Sequence, residues 1–343
     1  MKKIVWPVML TFLVASGFAA NNYHLLKKTS LPGDGNWDYL IVDSPARHVY
    51  VSHGTEVNVH DADSGEPVGK IPNTNGVHGI AVAPELERGF VSDGRAGTVT
   101  IFDRKTLKTL GEVPVGKNPD AIIYEPVMHR VFVFNAESKT ASVINAADGK
   151  VATTVDLGGV PEGPVPDGKG AVFVNLKDEA TNQMLRIDSK EIAIKDRWPL
   201  GAAGCTDPGN MAMDRATRRL FVRCKDRAKN TSWMGVINAD NGKLITTLPI
   251  GSNVDSAAFD PETRLIFFPD GDGKVTIIHE DSPDKYSLVQ NAETQKGART
   301  IALDLKTHRL FLPTAQYAPE QTGARPRILP GTFTVLIMGM EEK

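Results

Sequence analysis

Only two cysteines occur in the 343 residues, and no Cys-x-x-Cys pair is among them. That excludes a disulfide-dense scaffold, a thiolate zinc cage and a covalently attached haem. The net charge is −2 and the sequence pI about 6.5, so there is no basic stripe to hold nucleic acid; Lys2-Lys3 and Lys27-Lys28 are too short to make one. A Gly-rich phosphate loop between strand and helix, a Gly-x-Ser-x-Gly elbow and a His-Glu-x-x-His helix are all missing, which removes the commonest nucleotide, serine-hydrolase and zinc-protease readings. Apolar residues are nowhere sustained at helical spacing, so a helical architecture is excluded as well.

One uninterrupted apolar stretch stands out, Ile4–Val14, behind Lys2 and Lys3 and ahead of the small residues ASGFAA. It is short for a bilayer span of about 20 residues and reads as a secretory signal cleaved after Ala19 or Ala20, with a membrane anchor as the competing reading. No cysteine follows it, so a lipid anchor is not expected. The chain therefore divides into a signal over residues 1–20 and a single exported domain, periplasmic or secreted, over residues 21–343.

What the sequence has instead is a segment that returns seven times: HVYVSHG, RGFVSDG, RVFVFNA, GAVFVNL, RLFVRCK, RLIFFPDG and RLFLPTA. Their central residues, Val51, Val91, Val133, Phe173, Val222, Phe267 and Leu312, follow one another at 40 to 49 residues. Length alone would suggest two domains at roughly 150 residues each, but a repeat of this size cannot bury its own apolar face and needs its neighbours. One copy resolves into DAIIYEP, RVFVFNA, TASVINA and KVATTVDL, four short β-branched or aromatic runs between turn residues. Inner runs are almost wholly apolar and outer ones alternate, as sheets covered on both faces inside and wetted at the rim should. The pattern predicts an all-β fold, a seven-bladed β-propeller of four-stranded antiparallel blades.

The last copy supplies only three strands, ARTIALD, RLFLPTA and TFTVLIMG. Residues Tyr23–Leu31, YHLLKKTSL, precede the first blade and resemble the outer strands, so they are expected to complete the seventh blade and close the ring. Trp37-Asp38 is a chance Trp-Asp dipeptide, since it stands at the start of a blade and not at the end of a third strand.

The stretch VFVFNAESKTASVINAADGKVATTVDLGGVPEG, Val131 to Gly163, resembles the repeat of the YVTN, or YncE-like, family of seven-bladed propellers. The likeness runs over essentially the whole exported domain and weakens in copies five to seven, where RLFVRCKD and RLFLPTAQ replace the Asn-ending strand. It implies the fold and an extracytoplasmic setting and little chemistry, because the fold hosts unrelated functions.

Cys205 and Cys224 fall before the first strand and at the end of the second strand of one blade, and antiparallel pairing brings those places together. A disulfide is expected, worth on the order of 3 kcal/mol in an oxidising compartment; the competing reading is a reactive thiol beside Arg223 and Lys225.

The repeat phase also locates a site. About thirteen residues before each marker the chain enters its innermost strand, at Asp38, His78, Asp120, Glu162, Asn210, Asp255 and Arg299. Just behind each marker, where the second strand ends, come His53, Asp93, Asn135, Asn175, Cys224, Asp270 and Thr314. Both sets are expected around one mouth of the central channel, the bland alternative being turn residues that bond their own backbone. Two insertions, DRAKNTSW (226–233) and QYAPEQTGARPRILPG (316–331), should emerge on the same face, bringing Tyr317, Arg325 and Arg327 to it. Asp38, Asp120, Glu162 and Asp255 would suit a divalent metal ion, and His78 or Glu162 could serve as a general base.

Two functions fit. The first is a non-enzymatic, monomeric exported propeller that binds a partner protein, an envelope component or a small ligand at the mouth. The alternative is a metal-dependent lactonase or lyase, with a Ca²⁺-type ion held at the same mouth. A convergent ligand set favours the second, and carboxylates splayed into water the first.

Overall fold

The computed structural model describes residues 22–31, 36–177, 182–227, 229, 231–318 and 327–340. Within them lie seven four-stranded antiparallel sheets, six of which add their strands in chain order from the axis outward. Blade three is representative: Pro119–Glu125, Arg130–Asn135, Thr140–Asn145 and Val151–Asp156. Its second strand is buried along nearly its whole length, while its fourth is exposed at all but one position. This is the gradient expected of a sheet packed on both faces near the axis and wet at the rim.

The core is not one body but a series of seams between neighbouring sheets. Phe132 and Phe134 of blade three pack with Val172, Val174 and Leu185 of blade four. Tyr50 and Val59 of blade one meet Phe102 and Val91 of blade two in the same way. A fully buried aromatic of this kind is worth about 2–3 kcal/mol of apolar burial, and truncating one costs about 3–5 kcal/mol.

The ring closes as the sequence predicts. His24–Ser30 pairs antiparallel with Thr334–Gly339 as the outer strand of blade seven, from His24 opposite Gly339 to Ser30 opposite Thr334. Tyr23 anchors it: its ring meets Phe267 edge-on at 5.1 Å, its hydroxyl donates to the His308 carbonyl, and its backbone exchanges two hydrogen bonds with the Gln290 amide. The signal-peptide reading falls on residues outside those described. Among the described residues no helix is long and apolar enough to cross a membrane.

Cys205 and Cys224 form the expected disulfide, with Cα atoms 5.0 Å apart, and the reactive-thiol reading is set aside. A disulfide of this kind points to an oxidising compartment.

On the face opposite the candidate mouth, the turn between first and second strands carries a buried carboxylate in six blades: Asp43, Glu125, Asp167, Asp214, Asp260 and Asp304. Each accepts from backbone amides of its own turn, as Glu125 does from Val127 and Met128. Most also reach the next blade: Glu125 takes the Ser189 hydroxyl at 2.7 Å, Asp167 the Arg218 guanidinium at 2.8 Å and Asp260 the His308 ring at 2.7 Å. Asp304 of the last blade takes Ser44 and Arg47 of the first, at 2.6 and 2.9 Å. Polar bonds thus stitch the seams at one end of the barrel.

Candidate functional site

The first set of candidate residues faces the channel, and a repeated irregularity explains why. The register between first and second strands slips between Val77 and Ile80, between Pro119 and Ile122, between Glu162 and Val165, and between Pro208 and Met211. Such bulges re-aim side chains, and these carry His78, Asp120 and Asn210 within the slip and Glu162 at its edge. Gly79 lets the bulged strand approach its neighbour: a Cβ there would lie 3.1 Å from the Asp120 carbonyl oxygen and 2.9 Å from Ile122.

The ring then sorts into three groups. In blades one to three, His78 Nδ1 lies 2.6 Å from Asp38 Oδ2 and 3.8 Å from Asp120 Oδ1. The ligating atoms of the three residues are all within 4.8 Å of one another. Burial pushes Asp120 up to about 7, aided by Asp38 and Glu162. It also pushes Asp38 up, against the hydrogen bond from His78. For His78, burial acts to lower the pKa, but the bond to Asp38 and the charge of Asp120 outweigh it, and the net direction is upward.

In blades four and five, Glu162 is enclosed. Tyr39, reaching across from blade one, donates its hydroxyl at 3.1 Å, Asn210 donates its amide at 3.2 Å, and Lys177 makes a close ion pair. Asn210 also donates to the Asp255 carbonyl at 2.8 Å. Burial and then Glu162 hold the Tyr39 hydroxyl far above its usual range, so it stays protonated as a donor. Tyr39 and Lys177 were not singled out from the sequence; the Tyr beside the candidate Asp38 was the available signal. In blades six and seven, Arg299 Nε stands 3.0 Å from Asp255 Oδ2.

The second set does not surround the mouth, and this corrects the expectation. Asp93 accepts from Thr98 and Thr100, Asn135 donates to Thr140 and Ser142, Asp270 accepts from Thr276, and Asn175 donates to the Gly209 carbonyl. All four are buried within the blades. The second strand lies one strand spacing, about 4.8 Å, farther out than the first, and its side chains point into the seams. His53 alone of that set borders the mouth, with its ring stacked on Phe333 at 4.4 Å.

A cavity of about 1800 Å³ opens at this face over blades one, two, six and seven, lined among others by Trp37, Asp38, His78, Arg95, Arg299 and Tyr317. Tyr317 bridges to Ile328, and residues 316–318 and Ile328, at the two ends of the blade-seven insertion, stand on the cavity wall. Arg325 lies outside the described residues, and Arg327 is not on the cavity wall. Half of the blade-five insertion, Asp226 and residues 231–233, extends the strands: Arg219–Asp226 and Thr231–Asn238 pair over eight residues, with Trp233 opposite Cys224. A smaller cavity of about 290 Å³ beside it is lined by Asp207, Arg223, Asp255 and Arg299 among others.

No protein-family model matches the chain, and neither does any curated protein. Solved structures do resemble it. A structure of the mitotic checkpoint complex matches with a TM-score of 0.76 at 13% identity, covering 100% of this chain and 99% of that one. The WD40 repeats of RRP9 match at 0.72 and 10%, covering 91% and 97%. Hydrazine synthase of Kuenenia stuttgartiensis matches at 0.68 and 17%, covering 84% and 94%. At these identities the likeness concerns the fold alone: an all-β propeller of seven four-stranded blades.

Proposed function

We propose that this chain is an exported propeller of the YVTN type that acts as a binding module, receiving an inserted segment of an envelope partner or an extended envelope ligand at the channel mouth. The observation that carries this reading is the cavity of about 1800 Å³ at the end of the channel where the polar ring lies. It exceeds the roughly 300–1,000 Å³ of a drug-sized pocket, and Trp37, Tyr317 and Arg299 offer aromatic and cationic contact at its wall. Such residues dominate binding energy where segments dock. The fold itself does not decide between classes, since a synthase and a checkpoint assembly both contain it.

Of the two candidate bases, Glu162 is held by three donors as a fixed acceptor, which weakens a catalytic role for it. The enzymatic alternative therefore rests on Asp38, His78 and Asp120.

The test is a titration of the mature protein with peptidoglycan fragments, envelope oligosaccharides and envelope peptides, followed by tryptophan fluorescence in a Trp198→Phe, Trp233→Phe background that leaves Trp37 as the reporter. A saturable change is expected, with Kd raised at least tenfold, about 1.4 kcal/mol, in Tyr317→Ala and Arg299→Ala at unchanged Tm. Binding that survives both substitutions would place the contact elsewhere on the molecule.

A further inference from the structure

Asp38, His78 and Asp120 differ from the rest of the ring in how their charge is met. Glu162 has Lys177 and Asp255 has Arg299. Among the described residues, neither Asp38 nor Asp120 has a Lys or Arg nitrogen within ion-pair distance; both carboxylates turn to the same imidazole nitrogen. Asp120 Oδ1 is buried and makes no hydrogen bond. An acceptor shielded from water and left without a donor costs about 1–3 kcal/mol, and its nearest cationic neighbour is His78.

The backbones that carry the three side chains are also held from behind. Ser92 donates to the Asp120 carbonyl at 2.5 Å and accepts from the Gly79 amide at 2.8 Å, tying the backbones of the His78 and Asp120 bulges together. The Asp38 amide donates to the Ser52 hydroxyl at 2.9 Å, and Thr300 donates to the Asp38 carbonyl at 2.8 Å. Gly94 leaves room for the imidazole: a Cβ there would stand 2.6 to 2.7 Å from the ring. These contacts fix where the three ligands start from and leave their side chains able to turn.

We propose that Asp38, His78 and Asp120 form a binding site for a divalent transition-metal ion of the Zn²⁺ type at the channel mouth. Ligands about 2.0–2.2 Å from a tetrahedral ion lie roughly 3.4 Å from one another. The present separations of 2.6 and 3.8 Å bracket that value, so rotation of the side chains suffices. The ion takes the place of the proton between His78 Nδ1 and Asp38, and gives Asp120 Oδ1 the partner it lacks. One imidazole nitrogen and two carboxylates suit Zn²⁺ or a similar ion, whereas Ca²⁺ asks for six to eight oxygens. Asp38 and His78 line the large cavity, so at least one coordination position faces it and remains open to an oxygen of a ligand. This site does not depend on the partner reading above, because metal binding is measured on the protein alone.

The experiment is calorimetric titration of chelator-treated mature protein with Zn²⁺, and separately with Ca²⁺. One Zn²⁺ per chain is expected and no Ca²⁺ uptake. Asp120→Asn and His78→Gln should each weaken Zn²⁺ at least tenfold while the circular dichroism stays that of the wild type and the metal-free Tm is not lowered. Should His78→Gln fail to fold, Asp120→Asn and the visible d–d absorption of bound Co²⁺, intense for a four-coordinate site and weak for a six-coordinate one, carry the test. No stoichiometric Zn²⁺, or full Zn²⁺ affinity in both variants, overturns the proposal and leaves the three groups sharing a proton.

Discussion

Asp93 and Asn135 hold equivalent places at the ends of second strands in successive blades, and each bonds two hydroxyls on its neighbouring strand. The amide does this without charge; the carboxylate does it in a site only 1% exposed. Burial, opposed by the Thr100 and Thr98 hydroxyls, pushes Asp93 up to about 7. The folded protein therefore holds that proton more tightly than the unfolded chain, whose carboxyl titrates near 3.9. Stability from this group is full below that value, falls as pH rises and levels off above about 7, a loss on the order of 4 kcal/mol. Asp93→Asn should accordingly raise Tm at pH 8 and leave it nearly unchanged at pH 4; an equal shift at both pH values would contradict this account. The position also shows what sequence alone leaves open. Repeat phase placed Asp93, Asn135 and Asp270 at the right end of the right strand, but side-chain direction depends on distance from the axis and on strand parity. First-strand residues, re-aimed by bulges, reach the channel, while second-strand residues enter the seams.

At the scale of strands and turns, the face away from the mouth holds the ring by a device absent from the functional reading. In six blades a carboxylate ends the first strand, and the turn that follows finishes at a residue of positive φ: Arg47, His129, Arg218, Arg264 and His308, with Gly170 in blade four. Such a turn suits the twist of the strands it joins, and the carboxylate satisfies its amides. The motif is visible in the sequence as Asp or Glu followed a few residues later by Arg or His, yet its blade-to-blade bonds join residues far apart in the chain, which spacing does not reveal. Asp304 is the strongest case, fully buried and receiving Arg47, Ser44 and Thr307. Burial acts to raise its pKa, but those donors hold it well below the usual carboxylate range. Its contribution is present above the unfolded value and is lost as pH falls below it. Asp304→Ala takes the buried acceptor from Ser44 and Thr307 and leaves Arg47, at the seam between the last and first blades, with Asp63 as its remaining carboxylate. A destabilisation of about 1–3 kcal/mol is expected, read as a lowered denaturation midpoint; a loss under about 0.5 kcal/mol would mean the freed donors find water instead.

For the whole molecule, the seven-fold period was enough to specify both blade count and closure, because a blade short of a strand at one chain end demanded a strand from the other. Closure matters energetically because a propeller has no single core: each seam is held by its two neighbours, and the seam at the chain ends depends on a strand that local contacts do not deliver. His24–Ser30 crosses the longest sequence separation in the fold, pairing with Thr334–Gly339, and Tyr23 and Leu31 at its flanks are each 2% exposed. Removing residues 21–31 would uncover the edge of Thr334–Gly339 and open Phe267 and Phe333 to water. The rest of blade seven would then lack the apolar burial that offsets its ordering entropy. The truncated protein is therefore expected to lose its cooperative thermal transition, and Tyr23→Ala, which keeps the strand but removes its anchor, should lower stability by about 3–5 kcal/mol. A truncated chain that melts as sharply and as high as the full one would mean that six complete blades and a three-stranded seventh already hold the circle. In that case the channel mouth would owe its shape to the seams alone, and not to the closing strand.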